Sequence, residues 1–219
     1  MIAKNIIRTT IAPLKTTDTG DFALQQMAEF HVRHLPIVEN EQFIGLIAED
    51  DIFHFDIDDE IGTFGLAFAR PFVKENTHFY EVMQKMAEFR LTVIPIVGEN
   101  ERYEGAVVLE DLLFTFAEST SVSDYGSIIV LETAPHDYSF AEIGRIVESE
   151  GAMILSTFTR TNPEDGMLEI TLKINSMEVS GIIATLNRFD YEIKGAFSVS
   201  DYVEELQEHY DSLMSYLNV

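Results

Sequence analysis

The chain has 219 residues, 46 % of them hydrophobic and 11 % aromatic, which is enough for one large domain or two ordinary ones with real cores. It contains no cysteine, which excludes disulfides, thiolate metal ligands and a thiol nucleophile. Fourteen Lys and Arg against 38 Asp and Glu give a net charge of −24 with no basic cluster; nucleic acid and anionic membrane are therefore poor partners, because affinity for either comes from neutralising phosphates.

The opening stretch MIAKNIIRTT lacks a long apolar run and a small-residue cleavage site, so no signal peptide is expected. Apolar runs such as LTVIPIV fall far short of the roughly 20 residues that cross a bilayer. The expectation is a soluble, cytoplasmic protein.

The first element follows the turn-like TTDTGD: a helix with a thin apolar stripe of Ala23, Leu24, Met27 and Ala28. It runs into MAEFHVRHLPIV (Met27 to Val38), which is nearly repeated 59 residues later as MAEFRLTVIPIV (Met86 to Val97). Each copy continues into a strand with an internal proline, LPIV or IPIV, which such a strand tolerates near its start or at an edge. A polar turn follows (ENEQ, then GENER), and after it a second strand that leads into a helix: FIGLIAEDDIF and YEGAVVLEDLLF. The second copy's helix has the fuller stripe, Phe79, Val82, Met83 and Met86, with Asn76 or Thr77 as its predicted cap. Each copy thus reads strand–helix–strand–strand–helix. A domain of about fifty residues buries only about 60 % of its unfolded surface, so two copies stacked on their apolar faces are the expected folding unit.

The order of helix, hhPIV, polar turn, Ghh and xxDh, found twice, resembles a tandem pair of CBS domains over roughly residues 1–120. The resemblance implies a pseudo-twofold disc with two inter-sheet clefts. In that family such clefts bind adenosine compounds and regulate an attached or associated protein. The family carries a glycine, then a Ser or Thr, then an Asp that accepts ribose hydroxyls. Here Gly45 and Asp51 match in the first copy, Gly105 and Asp111 in the second, but Ala48 and Val108 replace the hydroxyl residues that help to hold phosphate. Arg33, His34 and Pro36, with Val93 and Pro95 in the second copy, complete the candidate ligand set; Arg33, His34 and Arg90 are the nearest cations. Acidic Glu49, Asp50 and Glu110 oppose phosphates, so the expected ligand is a lightly charged one, AMP, adenosine or S-adenosylmethionine rather than ATP, with the first cleft better equipped. Asp51 and Asp111 also have a purely structural reading, as acids favoured at a helix start.

Neither FHFDIDDEIG nor the pair His31 and His34 has the spacing of a metal site, and both read as solvated surface. No metal or required cofactor is expected.

AESTSVSDYG (117–126) marks a boundary. Beyond it come the strand SIIVLET, a helix with Ser139 and Glu142 as capping box and Phe140, Ile143, Ile146 and Val147 as stripe, the strands AMILSTFT and LEITLKI, a helix opened by Asn175 and Glu178 with Val179, Ile182, Ile183 and Leu186 inward, and the strand YEIKGAFSV. This βαββαβ order is ferredoxin-like and, placed after a CBS pair, resembles an ACT domain, an amino-acid-binding regulatory module. The turn APHDYSF has no glycine where amino-acid-binding members carry one, and His136 and Asp137 there read as loop surface. The combination is similar to the acetoin-utilisation regulatory proteins of bacteria. Val203, Leu206, Tyr210, Leu213 and Leu217 form a short heptad seam at the end.

The expected class is α+β, a pseudo-twofold CBS pair (1–62 and 63–120) with a ferredoxin-like, ACT-like domain (121–219). No nucleophile–base constellation or phosphate-cradling glycine loop points to an enzyme. The expected function is regulatory: an adenosine-type ligand is sensed in the clefts and passed on to an unidentified partner protein, in a homodimer. A ligand-free dimerising scaffold is the alternative.

Overall fold

A computed structural model describes residues 1–8, 11–65 and 68–198. The chain divides into two compact units, Met1–Phe116 and Ala117–Val219, and the fold is α+β, with helices and antiparallel strands in both. The heptad seam from Val203 to Leu217 lies outside the described residues. No helix among the described residues is long and apolar enough to cross a membrane.

In the first unit the copies build matching pieces: α1 (Gly20–Glu29), β1 (His34–Glu39), β2 (Gln42–Ala48) and α2 (Glu49–Ile52), then α3 (Phe79–Phe89), β3 (Val93–Val97), β4 (Tyr103–Val108) and α4 (Leu109–Ser119). β1 pairs with β2 and β3 with β4, both antiparallel, each with a bulge after the isoleucine that follows the proline. The predicted leading strand shrinks to a single parallel bridge per copy, Leu14 to Ile37 and Val73 to Ile96. Met86, Val82 and Phe79 are buried as the stripe predicts, whereas Ala28 in the thinner stripe is exposed. The cap of α3 is His78, whose ring accepts the Tyr80 N–H, and not Asn76 or Thr77. Thr77 is spent on the preceding turn, where its hydroxyl accepts the Lys74 N–H.

The copies exchange more than a contact surface. The residues leading into the first copy pair with the second: Ile2 bridges His78, Arg8 bridges Ala106, and Ala3 is fully buried in the second copy's core. The segment between the copies does the reverse, with Glu60 bridging Thr19, Ala69 bridging Leu46, and Ile61 buried in the first core. Strand residues cross as well. Val93, Ala106 and Val108 fill the first core, and Leu46 fills the second. Glycine permits the crossing. A Cβ on Gly45 would run into Phe68, and one on Gly105 would meet the Ile7 side chain at 2.8 Å with φ at +142°.

One polar group is left over in this interlock. The Tyr103 hydroxyl is buried with no hydrogen-bond partner among the described residues, and burial pushes its pKa upward. A buried donor left unpaired costs free energy, so Tyr103→Phe should stabilise the fold by about 1 kcal/mol. A raised urea midpoint is the expected result, and a lowered one would mean that the hydroxyl is satisfied after all.

The second unit contains β5 (Ser127–Thr133), α5 (Phe140–Ser149), β6 (Ile154–Thr161), β7 (Leu168–Ile174), α6 (Ser180–Arg188) and β8 (Glu192–Phe197). The sheet order β6-β7-β5-β8 is antiparallel throughout, as a ferredoxin-like βαββαβ unit requires. Ile129, Leu131, Ile170, Leu172 and Ile174 line one sheet face under Ile143, Val147, Ile182 and Leu186 of the helices. Ser139 caps α5, but Glu142 does not close the capping box. Its carboxylate accepts the Tyr191 hydroxyl instead, and Phe140 is exposed rather than part of the stripe. Asn175 does not open α6: its side chain accepts the Met153 N–H, and Glu178 accepts the Ser180 N–H where the helix begins.

Candidate functional site

The helix starts of the two copies carry the predicted carboxylates, and they are differently engaged. α2 is a single turn, and Asp51 Oδ2 accepts the Ala48 N–H at 3.0 Å. In the second copy Asp111 Oδ2 meets the Arg8 guanidinium, Nε at 3.0 Å. The equivalent of Ala106, the residue that Arg8 bridges, is Leu46, and Leu46 bridges Ala69.

The strand starts lie against each other across the copies. The Arg33 N–H donates to Thr92 Oγ1 at 2.9 Å, that hydroxyl lies 3.0 Å from His34 Nδ1, and the Thr92 N–H donates to the same ring nitrogen at 3.3 Å. Nδ1 is therefore an acceptor, and the ring is neutral with its proton on Nε2. Burial lowers the His34 pKa, and the Arg33 charge lowers it further, against smaller opposing effects of Asp51 and Asp50.

The stability consequence has a definite sign. Above the usual histidine value near 6.5 both folded and unfolded chains carry neutral His34, so its contribution is fully present. As pH falls below that value the unfolded chain takes up a proton that the folded chain refuses, and stability is lost down to the folded pKa. Urea unfolding at about pH 7.5 and about pH 5.5 should show a larger drop for the unaltered protein than for His34→Gln. Equal drops would remove His34 from the account.

Arg33, His34 and Ala48 line a cavity of about 320 Å³ together with Glu49 and Asp50 of the first copy and Phe89 and Arg90 of the second. The cavity wall thus comes from both copies. Its cations are not equally available: Arg33 Nε lies 3.1 Å from Glu49 and its terminal nitrogen 3.6 Å from Asp50. Arg90 ends α3 in a left-handed conformation, φ 52°, and among the described residues it has no ion pair.

The remaining predicted residues do not gather here. Pro36 and Pro95 are buried in β1 and β3, Val93 and Val108 are 0 % and 3 % exposed in the first core, and Gly45 and Gly105 face the crossing leaders. Two participants carry no sequence signal of their own. Thr92 is the counterpart of Arg33 in the repeat, 59 residues on, and nothing in the pattern shows that the pair would touch. Arg8 looks like the match of Arg70 (IIR against FAR), yet the bridges place Ala69 at its register. A shift of one residue on an extended segment turns a side chain to the other face; Arg70 accordingly donates to the Phe43 carbonyl and pairs with Glu101.

The sequence model of the CBS domain matches residues 3–58 and 69–118. This is a tandem CBS-domain protein. Solved structures similar to it include a CBS domain pair/ACT domain protein from Thermotoga maritima, 21 % identical, covering 54 % of this chain and 98 % of that one, with a TM-score of 0.49. A Vibrio cholerae protein assigned provisionally to acetoin utilization, AcuB, is 15 % identical, with 56 % and 95 % covered and a TM-score of 0.49. The AMP complex of CBSX2 is 14 % identical, with 53 % and 96 % covered and a TM-score of 0.47. CBS pairs are in general regulatory, ligand-binding and non-catalytic modules.

Proposed function

We propose that the CBS pair senses a small adenosine-type ligand in the cleft lined by Arg33, His34 and Ala48, beside which Asp51 is held by the Ala48 N–H, and passes the binding event to a partner protein. The observation that carries this reading is the two-copy wall of the cavity: Arg33 and His34 on one side, Phe89 and Arg90 on the other. A ligand held there touches both halves at once, and a ligand biases a conformational equilibrium only through contacts that differ between its states. Asp51 supplies a carboxylate for ribose hydroxyls. Arg90 is the cation for a single phosphate, since Arg33 already faces Glu49 and Asp50.

The three domains are read as 1–62, 63–120 and 121–219. The last is ACT-like in topology, and lacking a turn glycine between β5 and α5 it serves to relay or to pair rather than to bind an amino acid. A homodimer in the cytoplasm is the proposed working state. The missing hydroxyls at Ala48 and Val108 favour a second reading, a constitutive dimerising scaffold with empty clefts.

A thermal-shift series with AMP, adenosine and S-adenosylmethionine separates the two. A ligand at 100 times its dissociation constant stabilises the folded state by about 2.7 kcal/mol, which appears as a raised melting temperature. Asp51→Ala should shrink that rise. A melting temperature that none of the three moves at millimolar concentration is the result that leaves the scaffold.

A further inference from the structure

The two carboxylates at the helix starts are chemically unequal. Arg8 is held by its backbone against β4, its N–H donating to the Ala106 carbonyl at 2.8 Å, and this places its guanidinium 3.0 Å from Asp111. Both side chains are about one-third exposed, 36 % and 26 %. At the matching register of the other copy stands Ala69, whose methyl carries no charge. Among the described residues Asp51 has no ion pair; one of its oxygens accepts the Ala48 N–H and the other has no partner.

Guanidinium N–H groups are donors to a carboxylate in the same sense as the vicinal hydroxyls of a ribose. A ligand that approaches Asp111 exchanges one charge-assisted hydrogen bond for another and gains little. One that approaches Asp51 gains the full bond. Partly exposed ion pairs are weak in themselves, so closure of the second carboxylate follows from absence of gain rather than from strength.

We propose that Arg8 is a built-in occupant of the second site, so that each chain takes one adenosine-type ligand, at Asp51, and keeps the Arg8–Asp111 pair as a standing tie between leader and second copy. This rests on the sensing reading above.

Titration calorimetry of the full chain with AMP tests it. The expected result is one site per chain, weakened at least about tenfold by Asp51→Asn, which retains an acceptor for the Ala48 N–H, and left in place by Asp111→Asn. Arg8→Met keeps an apolar stem while freeing Asp111, and should show a second site per chain. Two sites in the unaltered protein, loss of the site in Asp111→Asn, or a single site in Arg8→Met overturns the occupant and leaves sensing intact. Binding seen only in Arg8→Met overturns the assignment to Asp51. No heat with either the unaltered protein or Arg8→Met ends both this inference and the sensing reading.

Discussion

Leu46→Ala should weaken both CBS copies, although the residue belongs to the first. Leu46 is 5 % exposed and packs in the second core with Ile94, Ile96, Val107 and Leu112. Truncation removes buried methyl groups and leaves a cavity, at a cost of about 3 kcal/mol. Because the cavity opens under β3 and β4, amide hydrogen exchange should accelerate there as well as in β1 and β2. Chemical unfolding of the first unit should remain a single transition with a lower midpoint. Faster exchange confined to residues 14–52 would mean that the copies unfold independently, and a signal at one would then have no route to the other.

Gly126→Ala should have a comparable effect on the second unit. Gly126 has φ +141°, and a Cβ there would run into the Ile174 carbonyl oxygen, with the Asn175 Cα only 3.1 Å away. The obstacle is backbone, so no side chain can swing aside, and β5 must part from β7 where Ser127 faces Ile174. Strained backbone and overpacking together cost about 3 kcal/mol. Gly144→Ala is the matched control. It lies inside α5 with nothing within 4 Å of the new Cβ, so it should stabilise by about 0.5–1 kcal/mol through helix propensity. Exchange rates in β5 and β7 distinguish the two variants: faster in Gly126→Ala, unchanged or slower in Gly144→Ala. Similar behaviour of both would show that the strand end tolerates the methyl group.

What the sequence displays plainly is whatever repeats or alternates. Phe79, Val82 and Met86 announce a helix face, Ile170, Leu172 and Ile174 a half-buried strand, and the doubled MAEF and PIV segments announce the pair. Hydrophobic period is a local property, and local pattern decides these elements. The site is harder to see because it is built from non-local register. Whether Arg8 or Ile7 faces Asp111 depends on which residue of an extended leader bridges Ala106, and the tempting alignment of Arg8 with Arg70 is off by one. His34 and Thr92 meet across the pseudo-twofold relation, where each residue touches the neighbour of its own counterpart. Caps fail for a similar reason: His78 and Thr77 compete for adjacent roles, and the turn at Lys74 decides between them.

The exchanged leaders carry an implication for how the pair can be taken apart. A single proteolytic cut after Phe64 would leave each fragment holding a strip of main chain that completes its neighbour: Ile2 to Arg8 remains threaded along the later half, and Ala69 along the earlier one. The pieces should therefore stay together through size-exclusion chromatography and separate only on denaturation. Sawing at the sequence boundary does not yield two modules, because the joint is dovetailed.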